Sequence, residues 1–369
     1  MITVLLDCRM ACWSGVGRYT HGLVRALAAR EDLSLVLATV PGAAPIAPDS
    51  AHVRSVDAAR HPFSALGMRE LAAIARDQKP ELVHCLHFPT PWPSEAPLVV
   101  TLHDLTPLLV PTSMPSRVKR ATYRRLNRRA VRLATRISVP SGATASDVTR
   151  LFPGARDKTA VIPAASDDFA NGDVGEVPKA LALGDAPYVL TMGNTKPHKD
   201  LPTLLAAFQQ LANEHPHLRL VLVGEEPPGY LDGLLPGEPR ARALFTGPVT
   251  DAELRALYSR ATVFAFPSRY EGFGLPPLEA MSFGTPVIAA RAASIPEVVG
   301  DAAVLFPPGD AGALAAGLGT VLTDAELRED LARKGQERAA EFSWTASAEK
   351  TAALYTDALS ATASATAPG

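Results

Sequence analysis

The stretch Arg269–Ala290, RYEGFGLPPLEAMSFGTPVIAA, decides the fold class. It follows Ala261-Thr-Val-Phe-Ala-Phe-Pro267, whose β-branched and aromatic residues predict a buried strand ended by Pro267 and Ser268. Glu271 then falls in a loop. Gly272 and Gly274 let the backbone come close to a ligand, and Pro276 and Pro277 suit the first turn of a helix running on through Leu278, Glu279, Ala280 and Met281. Unpaired amides and the dipole at such a helix start favour a phosphate, with Phe273, Gly274 and Leu275 at the turn. Glu279, about one turn in, can reach hydroxyls. The stretch therefore expects a ligand that carries both phosphates and hydroxyls.

Working outward, strands and helices alternate. Ile2–Asp7, Ser34–Thr39, Leu82–His84, Leu98–Leu102 and Arg136–Val139 read as core strands, with helices such as Tyr19–Ala29 and Phe63–Gln78 between them. A second series follows the polar stretch Ala164–Asp185: Tyr188–Met192, Leu218–Val223, Ala243–Thr246, Val263–Phe266, Pro286–Ala289 and Ala303–Phe306. This is an α/β pattern with two doubly wound halves. In open sheets of this kind ligands bind beyond the carboxyl ends of the strands, so the site is expected in a cleft between the halves. The tail 361–369, rich in Ala, Thr and Ser, is expected to be disordered.

Composition is compatible with two cores. The chain has 369 residues, 47% hydrophobic and 20% charged, which is more than one core usually holds. No run of eighteen apolar residues occurs, and ITVLLD has no basic lead or cleavage site, so the expected place is the cytoplasm. Cys8, Cys12 and Cys85 lack zinc spacing and read as small buried hydrophobes of a reducing compartment.

The string around Glu271 and Glu279 resembles the E-x7-E signature of retaining glycosyltransferases of family 4, and the resemblance extends over nearly the whole chain. It implies the GT-B fold: two Rossmann-like doubly wound domains, 1–165 on the acceptor side and 166–345 binding the nucleotide sugar, facing a central cleft. A helix, 346–360, would cross back to the first domain, with Trp344 as packing. LDCRMACWSGVGRYTHGLVRAL resembles the family's opening, in which Gly15 and Gly17 bring the backbone to the donor phosphate or the acceptor. A dinucleotide fingerprint fails there, because the third glycine is Gly22, two residues too far.

The resemblance also assigns roles. His103, in TLHD, would line the cleft near the transferred sugar, with His84, His87 and Asp104 as acceptor-side candidates. Lys199, after Gly193 and Asn194, would neutralise the leaving diphosphate as a compact cation. Many members carry arginine where Asn194 stands, which leaves Lys196 as the candidate second cation. Gly224 and Gly247 would end strands around the base. Glu271, Phe273, Gly274, Leu275 and Glu279 complete the expected donor site, and His103, Lys199 and Glu271 are the expected catalytic residues. No D-x-D falls in a suitable loop, so neither metal nor cofactor is expected, and the donor is itself the nucleotide diphosphate sugar. The family retains anomeric configuration. The context GVGRY and PHKD is nearest to mannosyltransferase-like members. The alternatives are a nucleotide-sugar sensor, and an epimerase or hydrolase on the same fold.

One segment points to a partner. Arg117–Arg136 holds nine Lys and Arg and no acid, leaving 27 cations against 38 acids elsewhere. Val118, Leu126, Ala130 and Leu133 fall near one helical face, the pattern of a basic amphipathic helix at an anionic membrane surface. No aromatic stacking platform accompanies it, so nucleic acid is not expected.

Overall fold

A computed structural model describes residues 1–48, 50–93 and 95–366. The chain divides into two units, Met1–Ala165 together with the segment from Ser343 on, and Ser166–Phe342. In unit 1, β1 (Ile2–Asp7), β2 (Leu33–Thr39), β3 (Val53–Asp57), β4 (Leu82–Cys85), β5 (Leu98–Thr101), β6 (Arg136–Val139) and β7 (Thr159–Val161) lie in the order β3-β2-β1-β4-β5-β6-β7. In unit 2, β8 (Tyr188–Met192), β9 (Arg219–Val223), β10 (Ala243–Phe245), β11 (Val263–Phe266), β12 (Val287–Ala290) and β13 (Ala303–Phe306) lie in the order β10-β9-β8-β11-β12-β13. The ladders are parallel; Val4, for example, pairs with Leu35 on one side and Leu82 on the other.

Interior parallel strands are covered on both faces, which is why LVHC, LVVT and VFAF bury every residue. The strands that sequence patterning does not predict, β3 and β7, are the two edges of the first sheet. VRSVD buries only Val53, and no residue of β7 is buried, so neither needs an apolar run. Each sheet reverses its strand order beside its first strand, between β1 and β4 and between β8 and β11. Loops leaving the carboxyl ends of those strands form the crevice in which such sheets bind ligands.

The end of the chain departs from expectation. The last helix starts at Trp344 and runs to Thr366, so the second domain ends at Phe342 and not at 345, and residues 361–366 are helical and not disordered. Alanine favours helix, and the hydroxyls of Thr356, Ser360 and Thr362 bond back to the carbonyls four residues before them, satisfying themselves inside the helix. Residues 367–369 lie outside the described residues. The helix belongs to unit 1: a Cβ on Gly22 would meet the Trp344 indole at 2.0 Å, Ser347 Oγ donates to Pro163 O at 2.6 Å, and Tyr355 Oη bonds His84 Nδ1 at 2.7 Å.

The basic helix forms over Arg117–Leu133, but its apolar side is spent on the fold. Ala130 and Val131 are buried in the unit 1 core, with Leu126 and Leu133 packed against it. Arg120 donates to Met114 O, Arg129 to Thr90 and Pro91 carbonyls, and Arg136 pairs with Asp357 at 2.5 Å. Arg117, Lys119, Arg124, Arg125, Arg128 and Arg132 remain on the exposed side. Cys8 and Cys85 are buried, whereas Cys12 is exposed in the loop after β1.

Candidate active site

In unit 2, the loops after β8 and β11 bring two expected residues together. Lys199 ends a short 3-10 turn, Pro197–Lys199, ahead of the helix Leu201–Leu211, and its Nζ lies 2.7 Å from Glu271 Oε1 in the loop after β11. Both side chains are mostly covered, at 21% and 16% exposure, so the pair attracts more strongly than a solvated one and holds the ammonium in place. Glu271 spends one oxygen on the lysine. Its other oxygen has no partner among the described residues.

The helix begins at Leu275, with Gly274 before it at φ 131°, a backbone conformation that favours glycine. Pro276 and Pro277 carry no N–H, so the amides of this helix start reduce to those of Gly274 and Leu275, with Phe273 next in the loop. None of these three amides has an acceptor among the described residues, although Phe273 and Gly274 are buried, and a buried donor normally has one. Ser294, which sequence reading missed, explains how they are aimed. Its buried hydroxyl bonds the carbonyls of Glu271 at 3.0 Å and Phe273 at 2.5 Å. Because C=O and N–H of a trans peptide point oppositely, holding the Phe273 carbonyl inward turns the Gly274 N–H outward. Only a tertiary contact reveals this; the serine itself looks like an ordinary helix cap in ASIPEVV.

The other donor-side expectations fare differently. Glu279 is 3% exposed and receives the Tyr258 hydroxyl at 3.0 Å. The Phe273 ring packs edge-on against Phe342, 5.7 Å away, so the residue offers its backbone and not its ring. A side chain on Gly193 would strike Phe245 and the Val223 carbonyl, which makes this glycine a packing requirement. Asn194 Oδ1 accepts from the Lys196 N–H at 3.1 Å, shaping the turn and leaving the Lys196 side chain exposed. Gly224 and Gly247, at the ends of β9 and β10, bridge each other at 2.9 Å.

In unit 1 the expected glycine loop is the first turn of a helix, Ser14–Ala28, capped by Trp13 without a side-chain bond. Gly17 is glycine because a Cβ would lie 2.3 Å from the Ala11 carbonyl oxygen; at Gly15 the space is open. His103 donates Nε2–H to Leu86 O at 2.8 Å; since a carbonyl only accepts, the neutral ring keeps its lone pair on Nδ1. Burial lowers its pKa, partly offset by that carbonyl and by Asp104. His87 is also pushed well below the usual value, by burial and then by His103, and its Nδ1 accepts from the Phe88 N–H at 2.9 Å.

His84 is corrected: it is fully buried, bonded to Thr101 Oγ1 at 2.9 Å and to Tyr355, and desolvation brings its pKa to about 3. It is a structural histidine closed to any acceptor. Asp104 accepts from the Thr106 N–H at 2.8 Å, which commits one oxygen to the following turn.

Among the described residues no helix is long and apolar enough to cross a membrane, and no group of three or more His, Cys, Asp or Glu is gathered for a metal. Residues 175–338 match the family described as glycosyl transferases group 1, and residues 13–168 match glycosyltransferase family 4. The O-antigen chain mannosyltransferase B of Escherichia coli is 33% identical over 291 residues, 76% of either chain. Among solved structures, a sucrose-phosphate synthase from Thermosynechococcus elongatus superposes with TM-score 0.79 at 24% identity, covering 98% of this chain and 100% of that one. An Anabaena protein, HepE, in complex with UDP-glucose, gives 0.73 at 19% identity over 97% and 100%. Sequence similarity of this extent, on a pair of units with the same two sheets, decides the matter: the chain belongs to the GT-B glycosyltransferases.

Proposed function

We propose that this glycosyltransferase is a retaining member of family 4 that moves a mannosyl-type hexose from a nucleoside diphosphate sugar to a hydroxyl of a growing glycan. The observation that carries the reading is the meeting, at one switch point, of the Lys199 ammonium, the Glu271 carboxylate and the acceptor-less amides of Phe273, Gly274 and Leu275. Cleaving a glycosyl diphosphate leaves an anion and an oxocarbenium-like sugar. Lys199 and the amides stabilise the first, and donors already in position can each contribute about 3 kcal/mol or more. Glu271 orients the lysine with one oxygen and holds sugar hydroxyls with the other. Glu279 takes the ribose role of the signature, and His103 Nδ1 accepts a hydroxyl near the transferred sugar. The departing diphosphate serves as the base for the incoming hydroxyl, since it needs no protonating acid of the glycosidase kind.

A thermal-shift panel of GDP, UDP and dTDP tests the donor, and the anomeric signal of the first-formed product in NMR tests retention; an inverted product would end the family 4 reading. Because side chain and amides supply the positive charge, transfer is expected to persist in EDTA. Activity lost to EDTA and restored only by magnesium or manganese would show a metal-held diphosphate.

The exposed cations of the basic helix support a peripheral, purely electrostatic contact with an anionic membrane, worth roughly 1 kcal/mol per residue near the surface. Because Arg129 is tied to the fold, the reversal that tests this is Arg124, Arg125, Arg128 and Arg132→Glu, which should abolish flotation with phosphatidylglycerol vesicles at low salt. Wild-type protein that does not float would remove the membrane contact.

A further inference from the structure

The helix Ser14–Ala28 starts on a residue that helices avoid. Its cap is Trp13, which makes no side-chain cap bond, whereas Ser, Thr, Asp or Asn there would add about 1 kcal/mol. Trp13 is 42% exposed, so full burial does not account for the choice. Local rules broken without structural gain are expected at functional sites.

The surroundings of Trp13 are built. Its ring lies 6.0 Å from His61 and 5.8 Å from Phe63, tilted by 54° and 44°, so the three form an open corner. Phe63 is anchored below by Phe88 at 5.1 Å, and Phe88 by Tyr123 at 4.8 Å. The buried Arg9 guanidinium fixes the corner from behind. It forms two 2.7 Å bonds to Asp7 and donates to the carbonyls of Arg60 at 3.2 Å and Gly67 at 2.9 Å, tying the loop that carries Trp13 to the segment that carries His61 and Phe63. From Phe63 the rings continue through His87, 5.8 Å away, to His103, a further 5.6 Å. The corner thus joins the expected reaction site within unit 1.

Its polar groups are ring N–H donors. His61 Nδ1 accepts from the Phe63 N–H at 3.3 Å, which leaves the proton on the exposed Nε2; His87 has the same arrangement through the Phe88 N–H. An open aromatic face flanked by N–H donors suits a ring with one C–H face and a hydroxyl rim. We propose that Trp13, His61 and Phe63 seat the acceptor's sugar, a neutral pyranose stacked on the indole with a hydroxyl on His61 Nε2–H. This rests on the function proposed above and adds the acceptor subsite to it.

The test uses the full chain carrying Trp92→Phe, because Trp92 is also exposed whereas Trp344 is buried. Millimolar methyl α-D-mannopyranoside should then shift the Trp13 emission. With α-linked mannobiose as acceptor, Trp13→Ala should raise the acceptor KM roughly tenfold, equivalent to about 1.4 kcal/mol, with a smaller fall in kcat. Trp13→Phe should restore most of it, and stabilisation by nucleoside diphosphates should match the parent. An unchanged acceptor KM in Trp13→Ala would overturn the proposal. So would an emission that answers phosphatidylglycerol vesicles but no pyranoside, which would make the corner a membrane contact. If no nucleoside diphosphate stabilises the parent, the donor reading itself falls.

Discussion

The two units share a strand order around their switch points yet furnish them with opposite chemistry. After β8 and β11 stand an ion pair and bare amides; after β1, β4 and β5 stand rings, with imidazoles kept neutral by burial. The first arrangement suits a charged ligand group and the second an uncharged one. One sheet topology therefore sets where a ligand sits, and the loops set what it is.

The sharpest way to break the comparison is to discharge the donor side. Lys199→Ala should lower kcat/KM by roughly 10²–10³-fold, the loss typical of a single charge-stabilising donor. It should also weaken the thermal shift given by nucleoside diphosphates while leaving the unliganded Tm close to the parent. Near-normal transfer would mean that the amides alone carry the diphosphate.

Ser294→Ala tests the amides. It leaves the carbonyls of Glu271 and Phe273 without their donor, at a cost of about 1–3 kcal/mol in stability for a buried unsatisfied group. The donor-side consequence should be a fall in kcat of roughly tenfold, by about 1.4 kcal/mol of lost aim, that Ser294→Thr partly recovers. A lowered Tm with kcat intact would make Ser294 structural only.

The effect that is smallest per step belongs to the other unit and to pH. His84 stays neutral in the fold down to about 3, against 6.5 for the free side chain. Below pH ~6.5 the unfolded chain therefore binds a proton that the folded chain refuses. Stability is full above that pH and should fall by about 1.4 kcal/mol per unit through the window. His87 and His103 add to the same slope. His84→Asn should flatten it, whatever it costs at neutral pH. A wild-type stability indifferent to acid between pH 6 and 4 would contradict the neutral imidazoles.

Much of the arrangement after β8 and β11 was legible because glycine, proline and charge announce themselves in a short string: Glu271, Gly274 and the helix start lie within a few residues of one another, and the alternating strands set the fold class. Lys199 came from the resemblance. What stayed hidden depends on tertiary position. The edge strands β3 and β7 need no apolar run, and the stripe Leu126, Ala130 and Leu133 looks the same whether it meets lipid or, as here, its own core. His84 and His103 are both histidines at strand ends, and only their partners separate the sealed one from the open one. Trp13 comes from the loop after β1 and His61 with Phe63 from the segment after β3, so no spacing could bring the indole to them.

The last helix has a consequence for biosynthesis. Unit 2 is one uninterrupted span, complete once Phe342 has left the ribosome, whereas unit 1 lacks Trp344 over Gly22 and Tyr355 on His84 until the segment beyond unit 2 has been made. Domains usually mature from the amino terminus during synthesis. Here unit 1 is begun before unit 2 and closed after it, so the seat at Gly22 and the imidazole of His84 stay uncovered while unit 2 is being made.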